Sequence, residues 1–126
     1  MLKPRGRIRI ATPDLNKLIK YYQTQSGLHD KYTDWEFKSF IKKKMSTDIC
    51  SKCVVFNNFF RDWGHKFVYD CETLKNVLEY SGFVDITECE VSKSTVLDLC
   101  NVERHLMNLP DNFNLLETMV VEAVKP

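Results

Sequence analysis

The chain has 126 residues, of which 44% are hydrophobic and 28% charged, with four Gly and four Pro and a formal net charge of +1. This length suits one domain, and the composition excludes disordered, collagen-like and low-complexity chains. No apolar run approaches the roughly 18 residues of a membrane span, and the start has no signal-peptide apolar stretch, so the expectation is a cytoplasmic protein with no membrane partner. The five cysteines are an odd number, which argues against a closed disulfide framework and for reduced thiols.

The small net charge conceals an asymmetry. Residues 1–66 carry 14 Lys and Arg against 6 Asp and Glu, a net +8, whereas residues 67–126 carry 4 against 11, a net −7. Arg5, Arg7 and Arg9 precede Lys42, Lys43 and Lys44, but basic patches are weakly specific and a Lys run at a helix end is ordinarily a solvated face. Nucleic acid is therefore disfavoured as a partner.

The chain opens on Lys3-Pro4-Arg5-Gly6, where Pro and Gly occupy the second and fourth positions that a type I turn prefers. Arg7-Ile8-Arg9-Ile10-Ala11-Thr12 alternates with period 2 and reads as a strand ending at Pro13. Leu15, Leu18, Ile19 and Tyr22 form the apolar stripe of a helix that Ser26-Gly27 stops. A second helix is expected from about Thr33 to Met45, with Phe37, Phe40 and Ile41 on one face. Residues 46–69 lose the pattern and read as an ordered loop rather than a linker, because Phe59, Phe60, Trp63 and Phe67 would be costly to leave in water.

The clearest helix spans Cys71 to Tyr80, with Asp70 as N-cap and Gly82 as C-terminal stop. Residues 84–91 alternate as a strand. Leu115 to Val124 reads as another, and Met119-Val120-Val121 within it suggests burial on both faces. Residues 94–110 fit no single element. The order implies an α/β unit with an antiparallel pair appended.

Three segments carry a resemblance. Leu2-Lys3-Pro4-Arg5-Gly6-Arg7, with the following strand to Leu15, resembles the L-K-P-G-G-R turn and fifth strand of class I S-adenosylmethionine-dependent methyltransferases. Trp63-Gly64-His65-Lys66-Phe67-Val68-Tyr69-Asp70, with Ser81-Gly82-Phe83, resembles the G-H-x-F-x-Y and L-L-x-x-A-G-F run of one bacterial branch of that family. Asn114 to Ala123 is similar to its closing strand.

The resemblance implies a fold class: α/β, the C-terminal half of a Rossmann-like class I methyltransferase fold. Its sheet would be partial and mixed with an antiparallel final strand, and residues 1–126 would form a single partial domain. It implies transfer of a methyl group from S-adenosylmethionine to an unassigned acceptor, by a methyltransferase or by a truncated or split remnant of one. The cofactor-binding half is missing: a glycine loop needs closely spaced Gly, and Gly6, Gly27, Gly64 and Gly82 are far apart. Binding of S-adenosylmethionine by this chain alone is not expected. The rival reading is a non-catalytic interaction module that retains the fold.

By the same resemblance, His65 is the candidate catalytic residue, since an imidazole titrates near neutral pH and can accept a proton there. Asp14, Trp63 and Tyr69 are the candidate substrate-binding residues. Each has a structural alternative: a packed His, a residue at a helix start, and core aromatics. Cys50 and Cys53, with His65 and Cys71, raise zinc, but the spacing is not a regular structural-zinc pattern and no metal is assigned. The strand at residues 7–12 would lie between a missing strand and the closing strand. One edge would be open to an N-terminal-half polypeptide or to self-association, with Arg7 and Arg9 as edge guards and Ile8 and Ile10 short of helical cover.

Overall fold

The computed structural model describes residues 2–103 and 111–126, the latter stretch beginning with two residues of which only the backbone is described. The chain divides into two compact units, a sheet unit of residues 1–15 and 69–126 and a helical unit of Asn16–Val68. None of the described helices is long and apolar enough to cross a membrane.

The sheet unit is mixed α/β and is built on three strands, β1 (Arg7–Pro13), β2 (Val84–Cys89) and β3 (Thr118–Val124), in the order β1-β3-β2. The closing strand β3 lies at the centre, antiparallel to both neighbours. Its central position accounts for the apolar run Met119-Val120-Val121: six of its seven residues are buried. Pairing with β1 is continuous from Arg7 opposite Val124 to Pro13 opposite Thr118. Pairing with β2 is interrupted between Val84 and Thr87, where Asp85 takes a left-handed φ of 50°.

Period 2 sorts the side chains. Met119, Val121 and Ala123 face Leu74 and Leu78 of helix α5 (Cys71–Tyr80), and Ile8, Ile10, Phe83 and Ile86 complete that layer. Ile8 and Ile10 are thus packed against this core, contrary to the expectation that they would lack cover. Helix α5 follows the sequence reading at both ends. Asp70 Oδ1 accepts from Thr73 N–H at 2.7 Å, and Phe83 N–H reaches back to Leu78 O at 3.0 Å while Gly82 takes φ 85°. Strand β3 begins at Thr118 rather than Leu115, because a short helix, α6 (Asp111–Glu117), occupies the residues before it. Of the ambiguous 94–110 segment, Leu97–Leu99 form one 3₁₀ turn, and residues 104–110 lie outside those described.

In the helical unit, Ser26 does not stop a helix but caps the next one. Its Oγ accepts from His29 N–H, opening α2 (Gly27–Glu36), so α1 (Leu15–Gln23) ends three residues earlier. The face of α1 is also rotated: Leu18 and Tyr21 are buried, while Ile19 and Tyr22 are exposed. Helix α2 continues through a π turn at Phe37–Ile41 into α3 (Lys42–Met45), where Ser46 ends the run in a left-handed conformation. The π turn sets Phe37 and Ile41 inward and leaves Phe40 half exposed. Part of the expected loop is helical, as α4 (Lys52–Asn58), with Ser51 Oγ accepting from Val54 N–H. The buried phenol of Tyr21 meets Thr33 Oγ1 at 2.7 Å, and burial pushes its pKa up to about 12.

The first turn differs from its expected type. Gly6 N–H donates to Lys3 O at 2.8 Å, but Arg5 has φ 60°, which belongs to a type II turn rather than type I. A Cβ on Gly6 would come within 2.7 Å of Lys3 O, so the glycine here is sterically required. Arg5 stands where a glycine would relieve left-handed strain. Arg5→Gly should therefore raise stability by about 0.5–1 kcal/mol in urea denaturation. An unchanged or lower midpoint would show that the strain is absent.

On the face of the sheet away from α5, Arg9 sits opposite Glu122 and is buried with it. The Arg9, Glu122 and Glu103 side chains are only 2%, 2% and 1% exposed. Arg9 Nη1 donates to Glu122 Oε1 at 2.7 Å and to Lys93 O at 2.9 Å, Nε donates to Glu103, and Nη2 reaches Glu90 O at 3.2 Å. Ser92 N–H donates to the second Glu103 oxygen at 2.9 Å, and Arg7 reaches Glu122 at 3.3 Å. Arg9 is therefore an internal ion-pair partner, not an edge guard.

Burial acts to raise the carboxyl pKa values of Glu103 and Glu122. Hydrogen bonds overcome it, from Arg9 and Ser92 for Glu103 and from Ser94, Arg9 and Arg7 for Glu122, and both lie below the ordinary glutamate value. Each carboxyl binds its proton less readily folded than unfolded. The stability they contribute is complete above the unfolded value of about pH 4.3 and is lost as pH falls through the lower folded values. Glu103→Gln should cost about 3 kcal/mol at neutral pH and flatten the stability decline below that point. Parallel wild-type and variant acid profiles would refute the assignment.

Candidate functional site

The candidate residues fall in both units: Asp14 and Tyr69 in the sheet unit, Trp63 and His65 in the helical one. Asp14 lies just past the carboxyl end of β1, the end at which open α/β sheets present ligands. Its N–H donates to Glu117 O at 2.7 Å, and Leu15 N–H donates to Tyr69 O at 2.9 Å. These two bonds fix the chain as it leaves β1. Asp14 is buried, and Tyr69 is half-buried against the Leu74 and Leu78 core.

Trp63 and His65 are brought together by a tight turn after α4. His65 N–H donates to Asp62 O at 3.1 Å, and both central residues are left-handed, Trp63 at φ 52° and Gly64 at φ 77°. Positive φ at both positions is the geometry of a type I′ turn, which suits Gly64 and strains Trp63. Asp62 supports the turn: one carboxylate oxygen accepts from Trp63 N–H at 2.9 Å and from Lys44 Nζ. The lysine hydrogen bond, with the backbone one, holds the Asp62 carboxyl below the usual range although burial opposes it.

The Trp63 ring lies 5.6 Å from Phe40, 6.0 Å from Phe59 and 6.0 Å from His65, and half of the residue remains exposed. Of the four aromatics expected to seek cover, Phe59 is fully buried, while Phe60 and Phe67 are exposed. His65 Nδ1 lies 3.1 Å from Phe59 O. A carbonyl oxygen can only accept, so this contact places the proton on Nδ1 and leaves Nε2 with the lone pair in the neutral ring. A base with a fixed acceptor nitrogen beside an exposed indole face can orient a polar substrate hydrogen.

The glycines test the implied cofactor. The four glycines are far apart in the sequence, so these residues offer no closely spaced glycine loop of the kind that approaches S-adenosylmethionine. An added Cβ meets nothing within 4 Å at Gly27, Gly64 or Gly82, and at Gly6 it meets Lys3 O and the Leu2 side chain.

The thiols are dispersed. Cys50 and Cys53 are exposed in the helical unit, and Cys71 belongs to the sheet unit. Cys50 Sγ donates to Thr33 O at 4.0 Å, while Cys53 Sγ accepts from Asn57 at 3.6 Å. Among the described residues no three or more His, Cys, Asp and Glu side chains are grouped to hold a metal ion.

Sequence reasoning missed the Arg9, Glu103 and Glu122 cluster. The signal was present in the paired periods of residues 7–12 and 118–124, which set an arginine and a glutamate among buried positions. The chain matches no family model, no curated protein and no solved structure.

The Phe59 contact predicts a specific tautomer. Nitrogen-15 shifts of the neutral His65 ring should report Nδ1–H, and Phe59 O should remain its acceptor. A dominant Nε2–H form would remove the basis for Nε2 as a proton acceptor.

Proposed function

We propose that these residues form the C-terminal, substrate-side part of an S-adenosylmethionine-dependent methyltransferase or of a remnant of one. The observation that carries the reading is the sheet order. The closing strand β3 pairs antiparallel with β1, the neighbour that the resemblance assigns to it. The Lys3 to Gly6 turn adds support, because Arg5 adopts the left-handed φ that the glycine of the resembled L-K-P-G-G-R motif would adopt freely.

In this reading His65 Nε2 of the helical unit accepts a substrate hydrogen, and Trp63 supplies an apolar wall beside it. Within the sheet unit, Asp14 and Tyr69 are substrate-binding residues by the resemblance alone. Methyl transfer to a good nucleophile depends mainly on positioning, so His65 would act chiefly through orientation. The acceptor is left unassigned.

A second reading, a non-catalytic interaction module with the same fold, is favoured by the β1 edge. Strand β1 pairs only with β3 among the described residues, without a bulge, and its Arg9 is turned into the ion cluster. Such an edge can accept a strand from an N-terminal-half polypeptide or from a second copy.

Calorimetry separates the readings. The chain alone should show no binding of S-adenosylmethionine in the micromolar range, and binding should appear when a polypeptide carrying the glycine-loop half is added. Micromolar binding by the chain alone, about −8 kcal/mol, would overturn the partial-enzyme reading. A stable complex that still binds no cofactor would select the interaction module.

A further inference from the structure

Within the helical unit lies a cleft of about 430 Å³, lined by α3, α4 and the turn that follows α4. This volume falls within the range of small-molecule sites. Met45 and Val54 make its apolar surface, and Lys44, Asn57, Asn58 and Arg61 supply its polar groups.

The charge balance leaves this cleft positive. The helical unit carries ten Lys and Arg against five Asp and Glu. Three of those acids are committed, Asp34 to Lys38, Asp48 to Lys42 and Asp62 to Lys44. Among the described residues no carboxylate pairs with Arg61, whose guanidinium retains its full set of donors. Lys44 uses one of three ammonium hydrogens on Asp62, which holds it in place and leaves two.

The amides add directional donors. Asn57 Nδ2 donates to Cys53 O at 2.9 Å and, at 3.6 Å, to Cys53 Sγ, whereas the buried Asn58 has only a long contact, 3.5 Å, from Nδ2 to Asp62. Arg61, Lys44 and Asn58 thus bring donors to a cleft whose described lining holds no carboxylate, and the Asp62 carboxylate beside it is already held by Lys44. A guanidinium fork with an ammonium matches the three terminal oxygens and double charge of a phosphate monoester better than a single carboxylate. The apolar surface would receive the organic part.

We infer that this cleft binds a small phosphate monoester with an apolar body, with Arg61 as the principal anion ligand. The test is titration of phenyl phosphate into the nitrogen-15-labelled chain, followed by NMR. Saturable shifts of the Asn57 and Asn58 side-chain amides are expected, with a Kd on the order of 1 mM or tighter. Arg61→Gln should weaken binding at least about tenfold, while Lys43→Gln, an equal charge change outside the lining, should change it less than about twofold. Arg61→Lys should fall between, since it keeps the charge and loses the fork. Phenylacetate should bind about tenfold more weakly. Absent or non-saturable shifts, equal losses in the Arg61→Gln and Lys43→Gln variants, or phenylacetate binding as well as phenyl phosphate would each overturn the inference.

Discussion

A guanidinium buried between two carboxylates ties the strands of the sheet unit to the segments beside them. Arg9 reaches Glu122 on the central strand, Glu103 beyond it, and the carbonyls of Glu90 and Lys93. One side chain thus ties β1, β3 and the segment after β2. Desolvating three charges is expensive, and an apolar replacement of equal volume would be about as stable or more so. What the cluster supplies is register. A slip of one residue between β1 and β3 would turn Glu122 into the layer of Leu74 and Leu78, where no cation faces it.

The same constraint explains what could and could not be read from the sequence. The alternation Arg7-Ile8-Arg9-Ile10 identifies a strand, and Ile8 and Ile10 do face the core. Alternation cannot tell a solvated charged face from one closed over by another segment, because that depends on Glu103, 94 residues away. Local signals were complete for α5, whose cap, stripe and glycine stop all lie within 13 residues, Asp70 to Gly82. They were ambiguous at Ser26-Gly27, where the same two residues serve equally to end one helix or to begin another. Short α4 was missed for a related reason. Its seven residues bury two positions, Val55 and the polar Asn58, so a single apolar one is too few for a period to show, and only Ser51 marks its start.

Candidate-site residues were legible as residue types and not as an arrangement. Histidine beside tryptophan suggests either chemistry or packing. The Trp63-Gly64 turn and the Phe59 carbonyl fix the His65 ring, and neither can be derived from composition. The strain at Trp63 is informative in this light. A left-handed tryptophan persists only where surrounding contacts hold it, and the Asp62 carboxylate and the Phe40 and Phe59 rings do so.

The two edges of the sheet carry different protection. Strand β2 is mostly exposed, is bulged between Val84 and Thr87, and presents Asp85 and Glu88, all features that discourage a further strand. Strand β1 is unbulged and its Arg9 is drawn into the buried cluster, while Arg7 stays exposed at its start and Pro13 closes its end. The ion cluster that fixes the register thereby withdraws Arg9 from guarding β1. Internal specificity and a less guarded edge thus have one cause, and that edge is the one whose neighbour the methyltransferase reading assigns to a missing strand.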